Sequence, residues 1–88
     1  MRLTDEELQA AIMGFLLREG RWGAHYFPVD TLTRWFAKKV GDGRRVRKCL
    51  KELINMRYLS PHKKGDTVSL NPSRRQDIDR FIKEHVPK

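Results

Sequence analysis

The chain has little of what supports covalent or metal chemistry. A single cysteine, Cys49, excludes an internal disulfide and a cysteine-rich zinc site. The three histidines, His25, His62 and His85, do not follow any metal-ligand spacing. We therefore predict neither a metal nor a cofactor.

Long apolar runs are also missing. No stretch approaches the roughly 18–20 residues that a membrane-spanning helix needs. The opening MRLTDEELQAA has no apolar core of the kind that a signal peptide carries. These absences predict a cytoplasmic protein with no membrane partner. Asn and Gln are few, whereas Lys and Arg together number 19. This composition is typical of proteins from heat-adapted organisms.

The length argues against an enzyme. A chain of 88 residues forms one domain. Such a domain buries about 60–65% of its unfolded surface, which leaves no room for a deep catalytic cavity. Cys49 has no evident histidine partner and is expected to be a small buried hydrophobe. We predict no catalytic residues.

Acidic residues are few in the middle of the chain, where basic residues concentrate. The net charge is +8. Residues 38–64 hold ten basic groups against only Asp42 and Glu52, so this segment carries the whole excess. Solubility does not require such a concentration of basic residues. The concentration favours a polyanionic partner. A solvated charged face is the alternative interpretation.

Helical periodicity and end signals predict four helices, over about residues 5–19, 31–39, 43–56 and 72–86. Thr4 and Glu7 fit a capping box at the start of the first helix, and Gly20 is suited to end it. Short polar side chains precede the other helices as expected N-caps: Asp30, Asp42 and Asn71.

The third helix separates its apolar and basic residues onto opposite faces. At about 100° per residue, Val46, Leu50 and Leu53 centre a buried face that Cys49 and Ile54 flank. The opposite side presents one continuous row: Arg44, Lys48, Lys51 and Asn55. Two arginines project sideways, one on each flank: Arg45 and Arg47.

A β-hairpin is predicted over about residues 58–70. Leu59 on one side, and Val68 and Leu70 on the other, show strand alternation around the turn HKKGD. A shorter extended piece is predicted at residues 26–29, before the second helix.

The predicted order is helix, short strand, helix, turn, basic helix, basic-tipped hairpin, helix. Three features carry a resemblance: this order of elements, the segment VDTLTRWFAKKVGDGRRVRKCLKELINMRYLSPHKKGDTVSLNP, and the CLKELINMRYL pattern within it. In these features the chain resembles the winged helix-turn-helix DNA-binding superfamily, of the small single-domain prokaryotic or archaeal type. The resemblance implies an α+β, mainly α fold over residues 1–88, with a three-helix core, a short β-hairpin wing and a C-terminal helix. It also implies sequence-specific or general binding of double-stranded DNA by a transcriptional regulator.

One position departs from this pattern. Such domains often place a left-handed glycine just before the residue pair that opens the wing, whereas this chain has Arg57 before Tyr58. Either Asn55 adopts the left-handed conformation or the helix unwinds less abruptly.

The resemblance implies that the third helix lies in the DNA major groove while the wing follows the backbone. Arginine can pair with the guanine edge and asparagine with the adenine edge, so Arg44 and Asn55 are expected to read bases. Arg45 and Arg47 are expected to grip the two flanking phosphate backbones.

Lysines supply the remaining expected contacts. Lys48 and Lys51 suit phosphates or a guanine edge. At the wing tip, Lys63 and Lys64 suit a phosphate or minor-groove contact. Two lysines close the second helix and are either phosphate contacts or solvated caps of its negative end: Lys38 and Lys39.

Other functions stay open at this point. The chain fits a winged-helix adaptor in a larger complex, with Trp22, Tyr26 and Phe27 as its contact patch, or an RNA-binding protein. A homodimer through the first and last helices is also expected, with Met13 and Leu17 off the main apolar stripe.

Overall fold

The structure, a computed structural model, describes residues 3–85. Its elements in chain order are helix α1 (Asp5–Arg18), strand β1 (Phe27–Pro28), helix α2 (Val29–Val40), helix α3 (Gly43–Asn55), strand β2 (Leu59–His62), strand β3 (Thr67–Leu70) and helix α4 (Arg75–His85). Short 3-10 turns at Lys63–Gly65 and Pro72–Arg74 precede β3 and α4. The predicted α+β, mainly helical fold is confirmed, and the element order is compatible with a winged-helix-like arrangement.

Local sequence signals account for both ends of α1. The Thr4 hydroxyl accepts a hydrogen bond from the Glu7 amide at 3.0 Å, and the Glu7 carboxylate accepts one from the Thr4 amide at 2.9 Å. Gly20 is left-handed, with φ of 66°, and ends the helix as predicted. This helix lies at the centre of the fold, because most of its circumference is buried.

The sheet has three antiparallel strands in the order β1-β3-β2. Leu59 lies opposite Leu70, and His62 lies opposite Thr67, which confirms the predicted hairpin. Because β2 is an edge strand, it tolerates Pro61, which has no amide hydrogen to donate.

All of these elements contribute side chains to one core. Fifteen buried residues form it: Leu8, Ile12, Met13, Leu16, Phe27, Leu32, Phe36, Val46, Cys49, Leu50, Leu53, Leu59, Val68, Leu70 and Ile78. The prediction for Met13 is therefore wrong, since its side chain is fully buried and cannot form a dimer surface.

The start of α2 differs from its prediction. Asp30 is not the N-cap, because the helix begins at Val29 and Pro28 stands in the capping position. The Val29 amide donates to the Asp66 carbonyl at 2.9 Å, so the hairpin supplies the partner that a side-chain cap would supply. Asp30 lies in the first turn, where its charge favours the helix dipole.

Both expectations for the end of α3 are wrong. Arg57 itself is left-handed, with φ of 66°. Its amide donates to the Ile54 carbonyl and the Tyr58 amide donates to the Leu53 carbonyl, each at 3.0 Å, so the helix ends abruptly in a Schellman motif.

Asn71 is a cap as predicted, since its side chain accepts from the Ser73 amide at 3.0 Å, but it caps the 3-10 turn at Pro72–Arg74. Helix α4 begins at Arg75, three residues after its predicted start. Its predicted end near Val86 lies outside the described residues. None of the helices within residues 3–85 combines the length and the hydropathy that crossing a bilayer requires.

Candidate nucleic-acid interface

Helix α3 is fixed in direction by its first turn and by its apolar face. Gly41 is left-handed, with φ of 73°, and ends α2. The Asp42 carboxylate then accepts from the Arg45 amide at 3.1 Å and caps α3. Val46 and Leu53 are fully buried, as predicted. These contacts leave no freedom for the helix to rotate its basic side inward.

The opposite face of α3 is exposed to solvent. Its exposed side chains include all four of the predicted row, together with the Arg47 flank: Arg44, Arg47, Lys48, Lys51 and Asn55. Within residues 3–85, no carboxylate forms an ion pair with Arg44, Arg47 or Lys51. We call these three residues the α3 cationic face.

Arg45 does not belong to this face, and its internal contacts argue against the predicted grip on a phosphate backbone. Its Nε donates to Asp5 Oδ1 at 2.7 Å, and its guanidinium also donates to the Leu3 carbonyl. The side chain is 27% exposed. Arg45 therefore connects α3 to the start of α1, and its charge is paired with a carboxylate of the same chain.

The same carboxylate weakly restrains Lys48, whose side chain is 63% exposed. Asp5 Oδ2 lies 3.6 Å from Lys48 Nζ, and the Asp5 side chain is 37% exposed. The Arg45 hydrogen bond holds the pKa of Asp5 below its ordinary value, although partial burial acts in the opposite direction; the Lys48 charge adds to the lowering. Asp5 is thus ionised at neutral pH and neutralises part of the predicted row.

Further acidic groups border α3 on this side. The Glu52 carboxylate accepts from Gln9 Nε2 at 3.0 Å. Asp5, Glu6 and Glu52, which we call the acidic margin, line a groove that Asn55 shares. A phosphate approaching from this side meets like charge, so the anion-binding surface of α3 is one-sided.

The α2 side of α3 has a net positive charge. Arg34 and Arg47 line a groove there together with Asp30, and Thr33 and Ala37 form part of its wall. Arg34 was missed in the sequence analysis because the first 37 residues are close to neutral as a whole. Its position, three residues before Ala37 on one helical face, is the signal that connects it with α3.

The tip of the hairpin is a left-handed turn that exposes two lysines. Lys63, Lys64 and Gly65 have φ of 51°, 57° and 90°. Tyr26 and His62 pack ring against ring, with centroids 3.8 Å apart, at the base of this turn. The predicted wing-tip lysines are therefore held outward on an ordered turn.

A shallow groove connects α3 to the hairpin. Asn55 and Arg57 line it on the helical side, and Ser60 and Pro61 line it on β2. Arg57 is exposed and adds a positive charge between α3 and the strand that leads to Lys63. In the sequence, Arg57 is notable only as a departure from the winged-helix pattern, so its position in the candidate interface was not predicted.

Lys38 and Lys39 lie beside aromatic rings. They line a groove with Phe15, Trp35 and Phe36, and Lys39 Nζ is 5.6 Å from the Phe36 ring centroid. This groove lies on the α1–α2 side of the molecule.

The aromatic residues that were considered for an adaptor patch are mainly packing residues. Phe27 is buried, and Tyr26 packs on His62. Trp22 is half-buried, with the Arg75 guanidinium 5.0 Å from its ring centroid. These contacts favour a packing role for the cluster over an exposed contact patch.

Cys49 is fully buried in the core. Burial raises the pKa of its thiol to about 11, and the charges of Asp5 and Glu52 act in the same direction. Among the residues that the structure describes, no three His, Cys, Asp or Glu side chains lie close enough together to hold a metal ion.

Comparison with known proteins assigns no family. No protein-family model matches the chain, and no curated protein and no solved structure matches it. The geometry and charge of α3 and of the β2–β3 hairpin are therefore the basis on which a function is proposed.

Proposed function

We propose that this chain is a winged-helix protein that binds double-stranded DNA, with α3 as recognition helix and the β2–β3 hairpin as wing. The observation that carries the proposal is the α3 cationic face, which is anchored by a buried apolar face and has no internal ion pairs within residues 3–85. A role in transcription regulation is the form of this function that the resemblance favours.

The shape of α3 suits the major groove. A helix with its side chains is about 10–12 Å wide, and the major groove of B-DNA is about 12 Å wide. Arg44 lies in the first turn of α3, where a recognition helix presents side chains to base edges. Lys51 lies two turns further along and supplies a point charge for a phosphate.

The acidic margin favours one orientation of the DNA on the protein, because it repels phosphates on one side of α3. One DNA strand is expected to run along the α2 side, where Arg34 and Arg47 line a groove. The wing lysines and Arg57 are expected to meet the backbone beyond the other end of α3. Lys48 and Arg45, which lie next to Asp5, contribute little to binding.

Salt titration tests this proposal. Six exposed cations are expected to lie next to phosphates: Arg34, Arg47, Lys51, Arg57, Lys63 and Lys64. If each one neutralises a phosphate, log K against log salt has a slope of about −5. Fluorescence anisotropy of a labelled duplex at several salt concentrations measures this slope, and a flat response contradicts the proposal.

Two double variants with the same change in net charge locate the site. Arg47→Glu with Lys51→Glu removes two phosphate contacts, so affinity falls at least about sixtyfold at 0.1 M salt and the slope becomes shallower by about 2. Arg80→Glu with Lys83→Glu, on α4, is expected to keep the slope. An equal loss in both variants would show attraction by net charge alone. Tighter binding of an RNA hairpin would favour RNA as the ligand.

A homodimer through α1 and α4 stays a prediction. Leu17, which is 36% exposed, is the remaining candidate on α1 after Met13. Light scattering of wild type and of Leu17→Glu tests it. A dimer that Leu17→Glu dissociates supports this surface, and a monomer at all practical concentrations removes it.

A further inference from the structure

Trp35 is the most exposed large apolar side chain within residues 3–85. Its exposed fraction is 47%, against 38% for Met56 and 36% for Leu17. It is not part of the α3 cationic face or of the wing. An exposed tryptophan beside other aromatic rings is a feature of interaction sites, where tryptophan is among the residues that contribute most to binding.

The rings around Trp35 form a fixed groove. Phe15 is central, with its ring centroid 5.3 Å from Trp35, 5.3 Å from Phe27 and 6.3 Å from Phe36, each in an edge-to-face arrangement. Phe15, Trp35, Phe36, Lys38 and Lys39 line a groove of about 350 Å³, which we call the aromatic groove. Because Phe27 and Phe36 are buried in the core, the apolar wall is already formed before anything binds.

The rim of this groove carries one sign of charge. Lys38 and Lys39 follow Trp35 by three and four residues, so they lie on its side of α2. Neither lysine forms an ion pair with any carboxylate in the described part of the chain. A second copy of this chain that used the same groove would bring its own Lys38 and Lys39 to it, so self-association through this groove is opposed by like charge.

We propose that the aromatic groove docks an acidic segment of a partner protein, which inserts a large apolar side chain beside Phe15 and Trp35 and pairs its carboxylates with Lys38 and Lys39. The groove is concave and its rings meet edge to face, which suits an inserted side chain better than a stacked nucleobase. The residues that line this groove do not include any residue of the α3 cationic face or of the hairpin tip.

Labelled peptides test the proposal on the full chain. The probe is a short synthetic peptide that carries leucine and phenylalanine among glutamates, and its reference replaces each glutamate with lysine. Anisotropy is expected to show binding of the acidic peptide alone. In a Trp22→Phe background, Trp35 is the sole tryptophan, and its emission is expected to shift on binding.

Matched variants locate the contact. Lys38→Glu with Lys39→Glu is expected to weaken acidic-peptide binding by about tenfold, since each exposed ion pair accounts for up to about fivefold. Lys63→Glu with Lys64→Glu makes the same charge change at the hairpin tip and is expected to change binding by less than about twofold. Trp35→Ala is expected to abolish binding, with thermal unfolding as the check that the variant folds.

Four results would overturn the proposal. These are equal binding of both peptides, equal loss in the two lysine double variants, tighter binding of oligothymidine than of the acidic peptide, and a concentration-dependent dimer that Trp35→Ala dissociates. The last two would assign the groove to single-stranded DNA or to a second copy. None of these results depends on whether α3 binds duplex DNA.

Discussion

The carboxylate of Asp5 is expected to limit DNA affinity, and Asp5→Asn tests this directly. The substitution keeps the size of the side chain and removes its charge. It releases Lys48, whose ammonium lies 3.6 Å from Asp5 Oδ2. Arg45 stays on its side of α3, because its guanidinium also donates to the Leu3 carbonyl. The structure therefore predicts one freed cation and not two.

One freed cation sets the size of the effect. Each neutralised phosphate adds about −0.9 to the slope of log K against log salt. Relative to 1 M salt, the same contact therefore strengthens binding by about eightfold at 0.1 M salt. The gain stays below this value, because the exposed Asp5–Lys48 ion pair opposes binding by no more than about 1 kcal/mol. We therefore expect Asp5→Asn to bind a duplex up to about fivefold more tightly than wild type at 0.1 M salt, with an advantage that disappears as salt approaches 1 M.

Anisotropy titration of a labelled duplex measures this, and Glu6→Gln is the matched control. Glu6 lies in the same helical turn, is exposed, and has no ion pair within residues 3–85. Both variants change the net charge equally, so any difference between them reports the contact with Lys48. If the two variants gain affinity equally, or if Asp5→Asn gains none, the proposed restraint of Lys48 is wrong.

Three further predictions concern the fold. Arg57 adopts a left-handed conformation that costs a residue with a Cβ about 1 kcal/mol, so Arg57→Gly should be more stable to urea than Arg57→Ala; the reverse order would contradict the assigned conformation. The Cys49 thiol, buried and with its pKa raised to about 11, should react with Ellman's reagent only as fast as the protein unfolds; rapid reaction of the native protein would refute its burial. The pKa of Asp5 is lowered in the folded state. The stabilisation that its carboxylate gives to the fold is therefore present above the unfolded pKa near 3.8 and is lost as pH falls through the folded pKa. The difference in unfolding free energy between wild type and Asp5→Asn should therefore close in strong acid, and a difference that persists there would exclude the ion pair as its cause.

Much of the fold could be predicted because its signals are local. The capping box at Thr4, the cap at Asp42 and the left-handed Gly41 each depend on residues within one turn of the chain. The apolar face of α3 followed from helical periodicity, which locates Val46 and Leu53 without any knowledge of their partners.

The missed features depend on residues far apart in the chain. Arg45 and Asp5 are 40 residues apart, and a helical wheel gives the direction of a side chain but not what lies there. The start of α2 was misplaced because Asp66, in the hairpin, accepts the Val29 amide. Arg57 was unexpected because the Schellman hydrogen bonds hold a conformation that its own preference disfavours.

The central claim is that a duplex binds on α3 and the hairpin tip, and amide chemical shifts of ¹⁵N-labelled protein test it most directly. On titration with a short duplex, the largest shifts are expected within Arg44–Asn55 and Lys63–Gly65, with little change along α4. Shifts concentrated on α4, or no shifts at low salt, would contradict the claim.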